Sequence, residues 1–480
     1  MIRLDDVSFA FPDSARREFL RGITLAIGDG EWVAIAGGNG SGKTTLCRLL
    51  AGIYHPSAGA VTVDGADPAR AGVDSRRAPA IGIAFQNPDS QFVTSSVERE
   101  LLFGLENLGT GEDEMKSRLA AAARSFSIEP HLARNPHSLS GGEKQRLVLA
   151  CLWAMGPRHL ILDEPFSFLD SLARKTFLET LRDSFAREGK TILWSTVDAQ
   201  EMMLADRVIF MDAGEVRFDG APADLARSIP ALDLDRSLVR RAVEIGLPGA
   251  PSPRGRRGEA APVVEMRGVR FSPGGSDFAL DVSSFSVASL DRVGICGPSG
   301  SGKTTLLLGS AGLLPPLRGE VALFGARVSS RRDFPAGKVA FLFQSPEEGF
   351  FAPTVREEVS LACRRLAGNN DKSDAAARSL MDAGLSPELF LDRNPFHLSQ
   401  GEKRLVALAS VLVLDARLFL LDEPTIFLDG AARRGLISAL ERLSARGAAT
   451  VVASHDRAFL AECTDRIVTL ENGRLPERRA

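Results

Sequence analysis

Gly37-Gly38-Asn39-Gly40-Ser41-Gly42-Lys43-Thr44, followed by Thr45, recurs 260 residues later as Gly297-Pro298-Ser299-Gly300-Ser301-Gly302-Lys303-Thr304, followed by Thr305. Both copies are complete G-x-x-x-x-G-K-T phosphate loops. Each follows an apolar strand pattern, Trp32-Val33-Ala34-Ile35-Ala36 and Arg292-Val293-Gly294-Ile295-Cys296, and precedes an apolar helix. Glycines let successive backbone N–H groups curl around phosphates, and the following helix turns its positive end toward them. Lys43 or Lys303 then reaches the terminal phosphates, and Thr44 or Thr304 offers a hydroxyl to Mg²⁺. The doubled string predicts two nucleotide sites.

Other motifs repeat at nearly the same distance. Gln86 and Gln344 lie 258 residues apart; Ser140 and Ser399, Asp163 and Asp422, and Asp170 and Asp429 lie 259 apart. This spacing is a tandem duplication. It predicts a first domain over residues 1–235, a linker over 236–262 rich in proline, glycine and arginine, and a second domain over 263–480. Within each half the pattern is an α/β core with an antiparallel β subdomain and a helical insertion.

Composition narrows the partners. With 58 basic and 61 acidic residues and a net charge of −3, the chain of 480 residues gives no sign of a polyanion partner, and no nucleic acid is expected. It lacks an apolar run of about 18 residues and an N-terminal signal pattern, so it is expected not to span a membrane itself. Five cysteines without C-x-x-C spacing imply reduced thiols in a cytosolic setting.

Each half also ends an apolar strand in paired carboxylates, Leu160-Ile161-Leu162-Asp163-Glu164-Pro165 and Phe419-Leu420-Leu421-Asp422-Glu423-Pro424. Asp163 and Asp422 sit where they can hold Mg²⁺, while Glu164 and Glu423 can polarise a water attacking the γ-phosphate. The string Leu139-Ser140-Gly141-Gly142-Glu143-Lys144-Gln145-Arg146, with Leu398-Ser399-Gln400-Gly401-Glu402-Lys403-Arg404, opens a helix with a second amide-rich turn.

These motifs together resemble the ATP-binding-cassette (ABC) superfamily, over nearly the whole chain apart from the linker. The resemblance implies tandem P-loop NTPase domains that bind ATP and Mg²⁺ and pair head to tail within one chain. In that arrangement Ser140-Gly141-Gly142 and Ser399-Gln400-Gly401 each close over the nucleotide of the opposite domain. It also implies that Gln86 and Gln344 sense Mg²⁺ and the attacking water, and that His455 is the switch histidine.

The first half has Val197 at the histidine position and the second has Gln400 where the first has Gly141. Both departures fall on the site built on Lys43, Asp163 and Glu164, so the site of Lys303, Asp422, Glu423 and His455 is expected to be the more active. Phe11 stacks adenine or is simply core, and Pro273 is its counterpart.

The stretch FQNPDSQFVTSSVERELLFGLEN, from Phe85 to Asn107, looks like the ATPases of energy-coupling-factor (ECF) transporters, which import vitamins and transition-metal ions. That resemblance implies a peripheral position at the cytoplasmic face of the membrane, an integral-membrane T component and a substrate-binding S component. It suggests Asp89 and Glu347 as ion-pair partners of a T-component arginine. Two alternatives stay open: a soluble tandem ABC protein acting on ribosomes, favoured by Ser454-His455-Asp456-Arg457-Ala458-Phe459-Leu460, or the fused ATPase of another importer, such as one for sugars.

Overall fold

The computed structural model describes residues 1–11, 19–69, 80–167, 169, 171–185, 189–225, 228, 262–273, 278–345, 349–364, 372–426, 428–471 and 473–475. The chain divides into two compact units, Met1–Ile245 and Gly246–Ala480. Of the linker expected over 236–262, all but Pro262 lies outside the described residues, as do Asp170 and Glu347. Pro262 opens a strand, Pro262–Phe271.

In the first unit a three-stranded antiparallel sheet runs in the order Leu20–Ile27, Ile2–Phe9, Ala58–Val63. The main sheet has six strands, in the order Ile81–Ala84, His159–Leu162, Thr191–Thr196, Trp32–Gly37, Arg207–Asp212 and Glu215–Gly220. Its first five strands are parallel, and the last pairs antiparallel. His159–Leu162, Thr191–Thr196 and Trp32–Gly37 are buried at every position, which is why the sequence reads as continuous apolar runs with no alternation.

The second unit repeats the plan. Its parallel sheet has the order Val339–Leu342, Leu418–Asp422, Ala449–Ala453, Arg292–Cys296, Arg466–Thr469. A second, mostly antiparallel sheet is built around Pro262–Phe271 and Leu280–Ala288. The helical insertions are Val97–Asn107, Glu112–Ser125 and Gly141–Met155 in one unit, and Val355–Arg364, Lys372–Asp382 and Gln400–Leu412 in the other. Apolar faces bury them: Val97, Leu101, Leu105, Ala122 and Leu147 pack in the first core, and Val355, Val359, Leu380 and Val406 in the second.

Parallel strands all end on the same edge of a sheet, and open α/β sheets bind ligands at that edge. Here four neighbouring strand ends deliver, in spatial order, Gln86, the Asp163–Glu164 pair, the segment around Val197, and the first phosphate loop. The second unit delivers Gln344, Asp422–Glu423, His455 and the second loop in the same order.

Trp194 anchors this edge in the first unit. It is 1% exposed and meets Trp32 and Phe166 edge to face, at centroid distances of 6.2 and 6.4 Å. Its indole N–H is buried with no hydrogen-bond partner among the described residues. Trp194→Ala should therefore destabilise the first unit by about 3–5 kcal/mol, the cost of an aromatic-sized cavity. Trp194→Phe should cost far less, because the ring remains and no hydrogen bond is lost; urea unfolding followed by circular dichroism separates the two outcomes.

Candidate functional site

Each phosphate loop wraps its own lysine. Lys43 Nζ donates to the carbonyls of Gly37 and Gly38 at 2.9 and 2.8 Å, and Lys303 Nζ to those of Gly297 and Pro298 at 2.8 and 3.1 Å. Asn39 and Gly40, and Ser299 and Gly300, form the tip turns. Gly42 and Gly302 precede their helices at φ 103° and 104°, a conformation L side chains rarely adopt. A Cβ on Gly42 would also strike Leu20 Cδ2 at 2.4 Å. The helices Lys43–Leu50 and Lys303–Ala311 start without a side-chain cap, leaving first-turn amides for an anion. Ser41 Oγ and Ser301 Oγ are buried with no hydrogen-bond partner among the described residues, the donors a phosphate oxygen would use. Thr45 and Thr305 are buried just behind.

Thr44 Oγ1 donates to Asp163 Oδ1 at 3.1 Å and Thr304 Oγ1 to Asp422 Oδ2 at 2.6 Å, joining each loop to the strand carrying the carboxylates. Glu164 and Glu423 follow in left-handed backbone, φ 46° and 45°. A non-glycine residue there is uncommon, and such strain gathers at functional sites.

The two glutamates are held differently. Glu164 accepts from Gln86 Nε2 at 2.9 Å and Ser167 Oγ at 3.2 Å, and its N–H donates to Ser195 Oγ at 2.9 Å. Ser195 Oγ in turn donates to Asp163 Oδ1 at 2.5 Å. Burial pushes both carboxyls above their ordinary range despite the nearby Lys43.

Glu423 instead accepts from the His455 backbone N–H at 3.1 Å, meets His455 Nδ1 at 3.0 Å and has Lys303 Nζ 3.4 Å away. Burial pushes it up too, but the histidine and lysine outweigh that and hold it below the usual carboxylate range. Burial raises Asp422 to about 6. Its Oδ1 has no hydrogen-bond partner among the described residues.

Lysine, threonine, aspartate and glutamate therefore meet in each unit, together with Gln86 in the first and His455 in the second. Gln344 is exposed, and its backbone carbonyl is bound by Arg404. Ser140 and Ser399 cap the helices Gly141–Met155 and Gln400–Leu412, with Glu143 and Glu402 closing each capping box. Gly141 and Gly142, and Gln400 and Gly401, form the first turns.

Phe11 lies beyond the end of its strand, 37% exposed, with its ring edge to face with Phe9 and Phe19. Pro273 is half-buried. Phe278 was not legible as a site residue, yet a Cβ on the loop glycine Gly302 would meet its ring at 3.0 Å. Asp89 is engaged inside its own unit, by His137 Nδ1 at 2.9 Å and Lys144 Nζ at 2.7 Å.

The family model for the ABC transporter matches residues 20–167 and 280–426, more than half the chain. A protein of Bifidobacterium longum described as a candidate ABC transporter ATP-binding protein is 32% identical over 97% of this chain. This chain spans only 64% of that relative's length. Bacillus subtilis YkoD, named as a candidate HMP/thiamine import ATP-binding protein, is 29% identical over 98% of this chain and 90% of its own. Among solved structures, a model of ribosome-bound archaeal Pelota and ABCE1 matches with a TM-score of 0.69, covering 95% of this chain and 75% of that one. At 24% identity that likeness shows the fold alone. A phosphate-loop and carboxylate set repeated on the parallel sheet of each unit, inside two matches to one family model, places the chain in the ABC transporter family as a tandem ATP-binding, ATP-hydrolysing protein.

Proposed function

We propose that the chain is the energy-coupling subunit of an importer of the ECF type, taking up a vitamin or a transition-metal ion. The observation that carries its ATPase part is the lysine–threonine–aspartate–glutamate set at one sheet edge of each unit. The Phe85 to Asn107 stretch and the import role in the name of the Bacillus relative support the transport part. On this reading the subunit sits peripherally at the cytoplasmic face of the membrane and docks on T and S components. No helix among the described residues is long and apolar enough to cross a membrane. Because His137 and Lys144 already hold Asp89, a partner arginine there would share or displace them.

Thr44 with Asp163, and Thr304 with Asp422, fit Mg²⁺. All four offer hard oxygen atoms, and Asp422 Oδ1 is a buried acceptor without a hydrogen-bond partner among the described residues. When bound, the ion neutralises charge on the β- and γ-phosphate oxygens. Gln86 and Gln344 stand on the same sheet edge as further candidate ligands. Phe11 and Phe278 are the aromatic candidates for stacking adenine. Following the resemblance, each nucleotide is closed by the signature turn of the other unit.

Turnover is assigned mainly to the Lys303 site. Glu423 is held toward its ionised form, as a residue that orients or accepts a proton from water must be. Glu164 is pushed the other way, and Val197 offers no hydrogen bond in place of histidine.

Glu423→Gln should lower the steady-state ATPase rate by on the order of 10²–10⁴. His455→Ala should approach that loss and Glu164→Gln should fall far short of it; equal losses for the two glutamate variants would refute the assignment. In a separate test, the native protein extracted in detergent should co-purify with a polytopic membrane protein. Recovery with ribosomes and no membrane partner would instead favour the ribosomal alternative.

A further inference from the structure

Arg404 lies on the helix Gln400–Leu412, five residues after its capping Ser399, and is 1% exposed. A guanidinium so deep is costly unless its donors are met, and here its two terminal nitrogens meet backbone carbonyls. One terminal nitrogen donates to the carbonyls of Phe343 and Gln344, at 2.7 and 2.6 Å. The other donates to the carbonyl of Asp422 at 2.7 Å and to that of Glu423. One planar group thus pins three separate segments: the signature helix, the turn carrying Gln344, and the strand end that places Glu423 in strained backbone.

Among the described residues the first unit has no such strut. Gln145 occupies the equivalent position, buried to 2%, and its Nε2 has no hydrogen-bond partner among the described residues. There the signature helix is tied to the glutamine turn by an ion pair, Lys144 to Asp89, and that turn reaches the carboxylate strand through the Gln86 side chain, which donates to Glu164, so the linkage runs through side chains and not through the backbone carbonyls of the strand.

We propose that Arg404 is a positioning residue for hydrolysis at the second site. It fixes the backbone of Gln344 and Glu423 to the helix opened by Ser399, so that displacement of that helix is passed directly to the glutamate. The proposal rests on the assignment of turnover to the Lys303 site. A lysine has the charge but only a single nitrogen, and cannot span four carbonyls in two directions. A glutamine has neither.

The test uses the full chain, with kcat, the KM for ATP and thermal unfolding measured for R404K, R404Q and E423Q. Misplacing a reacting group by about an ångström costs on the order of 10²-fold. R404Q should therefore lose kcat on about that scale while its KM for ATP stays within about twofold, because the phosphate loop is untouched. R404K should fold like the parent, bind ATP like it, and fall between the two in kcat.

A wild-type kcat for R404K and R404Q overturns the proposal, as does a loss of kcat matched by an equal loss of folded protein. E423Q separates the two readings. If it leaves turnover intact, the site assignment itself fails; if it abolishes turnover while both Arg404 variants remain fully active, only the role of Arg404 fails.

Discussion

Two carboxylates side by side at the end of a fully buried strand are the constraint on which each unit depends. Asp163 and Glu164 are 3% and 6% exposed, and Asp422 and Glu423 are 1% and 5% exposed. Burying a charge is expensive unless it is paired or hydrogen-bonded, and two like charges together compound the cost. The surrounding residues follow from that demand. The loop threonine bonds the aspartate, the loop lysine lies close by, and the neighbouring strands supply donors to the glutamate. The phosphate loop is therefore part of the solution to burying the acids as well as a cradle for nucleotide.

The duplicated halves meet the same demand with different chemistry. Around Glu164 the side-chain donors are an amide and a hydroxyl, from Gln86 and Ser167, while Ser195 Oγ accepts the glutamate's own backbone N–H. Neutral donors satisfy lone pairs but compensate little charge, and the carboxyl stays raised. Around Glu423 a histidine and a lysine supply the compensation, and the carboxyl is lowered. Ser195 has Ala453 as its counterpart, and there the Glu423 N–H bonds the backbone carbonyl of Ala453 instead.

Much of this was legible in the sequence because it is locally determined. Glycine spacing fixes the phosphate loop, and a buried parallel strand must read as an apolar run. The strand expected over 32–36 forms as Trp32–Gly37, and the one over 292–296 as Arg292–Cys296. What escaped was set by contacts distant in sequence. Asp89, suggested as the ion-pair partner of an arginine on another protein, is held by residues 48 and 55 positions away. The left-handed backbone at Glu164 and Glu423 has no compositional signature, since nothing in the order Asp-Glu-Pro distinguishes it. Arg404 left one trace: a charged residue at a helix position followed directly by Leu405 and Val406, where the first half has an amide.

That trace shows how a duplicated ATPase diverges without changing its fold. A buried guanidinium is costly unless its donors find acceptors, and here backbone carbonyls converge on its two terminal nitrogens. In the second unit the glutamine turn and the carboxylate strand converge, and the arginine crosslinks them. In the first unit the smaller Gln145 fills the position, with no partner for its Nε2 among the described residues, while the partly buried ion pair of Lys144 and Asp89 ties the helix to the turn. An ion pair whose carboxylate still faces solvent is open to salt and to a competing charge, whereas four hydrogen bonds from one guanidinium to backbone carbonyls are less so. The same three segments are thus joined through side chains in one unit and through backbone carbonyls in the other, a difference that turns on one buried helix position.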